Sequence, residues 1–136
     1  MRDYAVETTI TVRYRDLDTL NHVNNAVYAS YLEQARSEYF DGLADVGVGI
    51  GDGEMVIARI EIDYRAPILH EDGEVTVGTS VTDLGGSSLT FEHRITVGDR
   101  VAAEGTCIIV SVDEDGSSRP LPDSWREAIE AFEAEN

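Results

Sequence analysis

The sequence predicts an α+β fold: a sheet of about five strands, one long helix early in the chain and a short helix near its end. Three observations predict it. Apolar and polar residues alternate in five separate stretches, the period that a half-buried strand requires. One stretch after the first strand switches to helical spacing. The later strands are joined largely by short Gly- and Asp-containing turns. There is no repeat and no linker, so the 136 residues read as one domain.

Val6, Thr8, Ile10, Val12 and Tyr14 share one face of a first strand. A polar loop follows, then a helix from about Ala26 to Asp41. Tyr28, Leu32, Ala35 and Tyr39 form its apolar stripe, with Val27 and Tyr31 beside it. Its few charges (Glu33, Arg36, Glu38) mark it as well buried, and Gly42 reads as its C-cap. Gly47, Gly49, Gly51 and Gly53 then recur every second residue. That spacing matches neither a dinucleotide fingerprint nor a P-loop, and a flexible connection is expected. A second strand, Met55 to Arg65, carries Val56, Ala58, Ile60, Ile62 and Tyr64 on one face and stops before Pro67. After a turn at His70–Gly73, Val75, Val77, Thr79 and Val81 mark the third strand. Gly85-Gly86 turn it into the fourth, with Leu89, Phe91, His93, Ile95 and Val97. Gly98-Asp99 is a hairpin signal leading into a fifth strand from Val101 to Val112. Ser124 and Glu127 suggest a capping box for a last helix. Trp125, Ala128, Ile129 and Phe132 on one side would dock it, against a neighbouring subunit for instance.

Chemistry concentrates between Tyr14 and Arg36. Asp16 and Asp18 lie two apart, followed by His22, Asn24 and Asn25 at the entrance to the helix. Either asparagine suits an N-cap. The first N–H groups of a helix are unpaired and partly positive, so they suit an anion or a developing oxyanion. Two neighbouring carboxylates resist joint ionisation. Asp16 is therefore expected to support the loop, accepting backbone N–H groups, or to be solvated.

The residues Asp16-Leu17-Asp18, His22-Val23-Asn24-Asn25, Tyr28, and Tyr31 through Arg36 resemble the hotdog-fold acyl-CoA thioesterases of the 4-hydroxybenzoyl-CoA thioesterase-like family. The resemblance implies a long antiparallel sheet wrapped around one central helix and a homodimer or homotetramer. It implies an acyl-CoA or acyl-carrier-protein thioester as substrate and no cofactor. Asp18 matches the catalytic carboxylate, as nucleophile or as general base. His22 would hydrogen-bond Asp18 or the thioester oxygen, and the backbone N–H of Asn25 would hold the oxyanion. Asn24 and Tyr28 would contact substrate, while Arg59 and Arg65, with Arg94 and Arg100 nearby, are candidates for the CoA phosphates. The chain departs from the family at Asn21, where Gly is usual. It also departs from the similar D-x-N-x-H-V-N-N run of plant acyl-carrier-protein thioesterases, with Leu20 at the Asn position.

Two other readings stand beside this one. Hotdog hydratases pair Asp with His in a D-x-N-P-x-H pattern, but this chain has no such Pro and a step one residue shorter. A non-catalytic acyl-thioester-binding module is the third, since fold does not fix function. Glu33 matches a helix carboxylate used by another hotdog branch. With Asp18 present, a surface or inter-subunit hydrogen bond is expected of it instead.

Composition narrows the partners. Asp and Glu number 27 against 10 Arg and no Lys, for a net charge of −17. Such a surface does not suit nucleic acid. Its acid is dispersed, which fits a protein kept soluble in concentrated salt. His70 and His93 have no metal-ligand spacing to His22 or Cys107, so no metal is expected. Cys107, alone in an apolar run, reads as a buried inert thiol in a reducing cytoplasm. The polar start carries no signal segment and no run suits a membrane span.

Overall fold

The computed structural model describes residues 4–45 and 54–135. Five strands form one antiparallel sheet: β1 (Val6–Thr11), β2 (Glu54–Tyr64), β3 (Glu74–Leu84), β4 (Ser88–Val97) and β5 (Arg100–Val112), in the spatial order β1-β3-β4-β5-β2. Helix α1 (Asn25–Asp45) packs against it, and α2 (Asp123–Ala134) follows β5. This is the expected hotdog architecture.

The alternation seen in sequence decides which face meets the helix. Val75, Val77, Thr79 and Val81 on β3, and Leu89, Phe91, His93 and Ile95 on β4, are all buried. Along α1, Tyr28, Tyr31, Leu32 and Ala35 close one half of the core with Ile10, Val12, Val77 and Ala103. Tyr39 and Leu43 close the other half with Phe91, Cys107 and Ile109. Gly105 permits this contact. A Cβ there would lie 2.8 Å from Cδ1 of Leu32, so that side chain would have to shift. Cys107 is fully buried, and burial pushes its thiol above the ordinary range.

Five expectations are corrected. The first strand stops at Thr11, and a 3-10 turn at Tyr14–Asp16 leaves Tyr14 81% exposed rather than on the core face. The cause is Asp16, whose carboxylate accepts the Arg13 N–H and bends the chain out of the sheet direction. Helix α1 runs through Gly42 to Asp45, so Gly42 is no C-cap. Its missing Cβ makes room for Phe132, whose Cζ would lie 3.1 Å away. On β2 the register shifts between Ile57 and Arg59. This bulge reverses the side-chain alternation, so Val56 and Ala58 are exposed while Ile60 and Ile62 pack on the core. Pro122 is the N-cap of α2 with no side-chain cap, so Ser124 and Glu127 form no capping box there. Finally, α2 docks on its own chain. Trp125 and Ile129 are buried, and Glu133 accepts hydrogen bonds from the Tyr39 hydroxyl (2.5 Å) and the Val81 N–H (2.8 Å).

The hairpin at Gly98-Asp99 is present, with Val97 paired to Arg100 and Gly98 at φ +59°. The run of alternate glycines from Gly47 to Gly53 lies outside the described residues.

Candidate active site

The polar loop closes on itself like a small hairpin. The Asp18 N–H donates to the His22 carbonyl at 2.7 Å, and Leu17 bridges Val23. Asn24 N–H donates to the Asp16 carbonyl at 2.8 Å, and Val23 N–H to Ile68 at 2.8 Å. Asn21 turns the tip at φ +66°, a conformation that Asn tolerates better than most side chains. This explains how the chain manages without Gly there.

Within this frame the Asp18 carboxylate is half-buried and held by one oxygen. Its Oδ1 accepts the Leu20 N–H at 2.8 Å and the His22 N–H at 3.2 Å. Its Oδ2 has no hydrogen-bond partner among the described residues. Tyr14, Leu17, Asp18, Thr19 and Asn21 line a cavity of about 270 Å³. His22 meets Asp18 through its backbone, and its ring takes no hydrogen bond among the described residues.

Helix α1 starts where this loop ends. Asn24 is its N-cap: its Oδ1 accepts the Ala26 N–H at 2.8 Å and its carbonyl accepts Val27 N–H at 2.9 Å. Asn25 is therefore the first helical residue, and its N–H has no acceptor among the described residues. The Asn25 carbonyl accepts the Tyr64 hydroxyl at 2.9 Å. Tyr64 in turn meets Tyr28 edge-on, with ring centroids 4.9 Å apart. Burial raises the Tyr28 phenol, so it stays neutral.

Asp16 is the buried member of the pair, 3% exposed. Its Oδ2 accepts the Arg13 N–H at 2.9 Å and the Tyr31 hydroxyl at 2.8 Å, and Arg13 Nη2 lies 3.5 Å from Oδ1. Burial opposes its ionisation, but these donors outweigh burial and hold its carboxyl below the ordinary value.

Asp18 meets His22 through its backbone, Asn24 caps α1, Asn25 is its first residue and Tyr28 lies about one turn in. Arg59 and Arg65, on and just after β2, sit in ion pairs with acidic side chains. Arg59 pairs with Glu61, while Arg65 Nε lies 3.5 Å from Glu104. Arg94 also reaches Glu104, and Arg100 reaches Asp72 at 3.0 Å. Two participants escaped sequence reasoning: Tyr31 as the partner of Asp16, and Tyr64 on the Asn25 carbonyl. Both act across long sequence separations, and only the general β2 pattern and the helix stripe hinted at their faces. Among the described residues, no group of three or more His, Cys, Asp or Glu is arranged to hold a metal.

A sheet folded around a single helix, with a carboxylate loop against the helix start, defines the class of hotdog proteins that handle thioesters. A family model described as the thioesterase-like superfamily matches residues 12–129, and the chain belongs to that superfamily. It is 32% identical over 114 residues to the long-chain acyl-CoA thioesterase FadM of Escherichia coli, covering 79% of this chain and 83% of that protein. It is 32% identical over 91 residues to the chloroplastic acyl-acyl carrier protein thioesterase ATL2 of Arabidopsis thaliana, covering 65% of this chain and 48% of that one. A Thermus thermophilus thioesterase solved with coenzyme A and Zn superposes with a TM-score of 0.86 at 41% identity, over 98% of each chain.

Proposed function

We propose that this protein is an acyl-CoA thioesterase that uses Asp18 as its carboxylate and the Asn25 N–H as its oxyanion donor. One observation carries the reading: Asp18 is fixed through Oδ1 alone, leaving Oδ2 without a partner, close in sequence to a helix whose first N–H has no acceptor among the described residues. A carboxylate fixed at one oxygen presents the other at low entropic cost. Two routes start from Oδ2. In one it attacks the thioester carbon, expels the CoA thiolate and forms an acyl anhydride that water opens. In the other it takes a proton from water as the hydroxide adds. In both the carbonyl oxygen becomes negative and is held by the Asn25 N–H, thiolate leaves and takes up a proton, and the free acid is released. Label found in Asp18 after a single turnover in ¹⁸O-water identifies the anhydride route opened at the aspartyl carbon.

The cavity beside Asp18, about 270 Å³, is smaller than pockets that bury drug-sized ligands, roughly 300–1,000 Å³. The family resemblance, not this cavity, supports a homodimer or homotetramer. The dispersed acid supports work in concentrated salt, and the buried lone Cys107 suits a reducing cytoplasm. The test is thiol release from a panel of acyl-CoAs and acyl-carrier-protein thioesters in molar KCl, wild type beside Asp18→Asn. Release by the wild type alone supports the reading. Equal release by a folded Asp18→Asn refutes it, and binding without release by either favours the non-catalytic module.

A further inference from the structure

We propose that Asp16 is a positioning residue for thioester hydrolysis, and that its hydrogen bond from Tyr31 locks Asp18 and the Asn25 N–H into one frame. The proposal rests on the reading above. It starts from where Asp16 sits: it is the one loop residue that binds both ends of the site. Its carbonyl accepts the N–H of Asn24, the helix N-cap, at 2.8 Å. Its carboxylate accepts the Tyr31 hydroxyl at 2.8 Å, on the buried face of the same helix, about two turns in. Its Oδ2 also accepts the Arg13 N–H at 2.9 Å, fixing the turn by which the chain leaves β1. The loop is thus pinned to the helix and its cap at two points and to the segment after β1 at a third. Asp18 is two residues beyond one pin, and Asn25 is one residue beyond the other.

The same contacts favour a positioning role for Asp16 over a chemical one. Oδ2 already takes two donors, Oδ1 faces the Arg13 guanidinium at 3.5 Å, and the residue is 3% exposed. The Asp16 carboxylate is thus committed to the protein's own donors through Oδ2. Tyr31 is equally committed. Its hydroxyl donates to Asp16, and burial and the adjoining carboxylate hold it protonated far above neutral pH. A buried, charge-assisted bond between two elements is stiff, and stiffness matters here. A misplacement of about 1 Å between reacting groups costs roughly 10²-fold in rate.

The experiment compares steady-state hydrolysis of one acyl-CoA by the wild type, Tyr31→Phe, Asp16→Asn, Asp16→Ala and Asp18→Asn, with thermal unfolding of each. Tyr31→Phe removes a single oxygen atom, so it carries the decision. It is expected to lower kcat roughly 10- to 100-fold with KM within about threefold, because the lost interaction concerns alignment and not substrate binding. Asp16→Asn keeps an oxygen that accepts both donors and should retain more kcat than Asp16→Ala. A merely structural role would lower the unfolding temperature and leave kcat unchanged below it. Wild-type kcat in folded Tyr31→Phe, with Asp18→Asn silent, overturns the proposal and spares the thioesterase reading. Loss in Asp16→Asn as complete as in Asp18→Asn, with Tyr31→Phe normal, also overturns it, making Asp16 a chemical group. A wild type that hydrolyses no thioester removes both.

Discussion

Acid should loosen this protein through one imidazole. His93 is 2% exposed on β4, stacked on Phe91 at 6.0 Å, with its Nδ1 3.1 Å from the Thr79 hydroxyl. Its Nε2 is buried without a partner. Burial, and then the positive charge of Arg36, push its pKa from 6.5 down to about 3. In the unfolded chain the same ring takes a proton below about pH 6.5. Between pH 6.5 and about 3 the unfolded state therefore binds more protons, so stability is complete above this window and is lost as pH falls through it. At pH 5 the loss is about 1.5 pH units at 1.36 kcal/mol each, or about 2 kcal/mol. That is a sizeable part of the roughly 5–15 kcal/mol that holds a typical domain. Protonation of the many carboxylates relieves repulsion and works the other way, so the wild-type curve alone is ambiguous. The informative quantity is the difference from His93→Leu, which loses the Thr79 contact at every pH but has no ring to titrate. Urea unfolding at pH 7 and pH 5 should show the wild type losing about 2 kcal/mol more than the variant between the two. Parallel losses, or an imidazole that titrates near 6.5 by NMR, would refute the reasoning.

Three further outcomes follow from particular contacts. Gly105→Ala should cost about 1–3 kcal/mol and lower the melting temperature, because its Cβ would meet Leu32 Cδ1 at 2.8 Å and the Glu61 carbonyl at 3.3 Å; calorimetry reads it. Asn21→Gly should be stability-neutral or slightly favourable, whereas Asn21→Ala should lose about 1 kcal/mol at φ +66°, with chemical denaturation ranking the two. Tyr39→Phe should cost about 1.5–3 kcal/mol, since it takes one of two donors from the Glu133 carboxylate and loosens α2 from α1. Amide exchange concentrated in α2 would localise that loss.

The sequence by itself determined the element order, the buried face of α1, β3 and β4, and the loop on which the chemistry concentrates. It did so because these depend on local periodicity: side chains repeat every second residue in a strand and every 3.6 in a helix, whatever the neighbours do. Tyr28, Leu32, Ala35 and Tyr39 were legible for this reason, and so was the Asn24–Asn25 helix start. Only the tertiary structure decided what pairs across distance. Gly42 looks like a helix end until Phe132 is seen to need its missing Cβ. The β2 bulge at Ala58 leaves no residue-type signal, yet it reverses which side of the strand meets the core. Arg59 and Arg65 look like free cations until Glu61 and Glu104 are brought beside them. Asp16 is expected to support the loop or be solvated, and the sequence does not say which. The fold separates Asp16 from Asp18 by closing Tyr31 and Arg13 over the first and leaving an oxygen of the second without a partner among the described residues, because burial and hydrogen-bond saturation are properties of the packed chain and not of the motif.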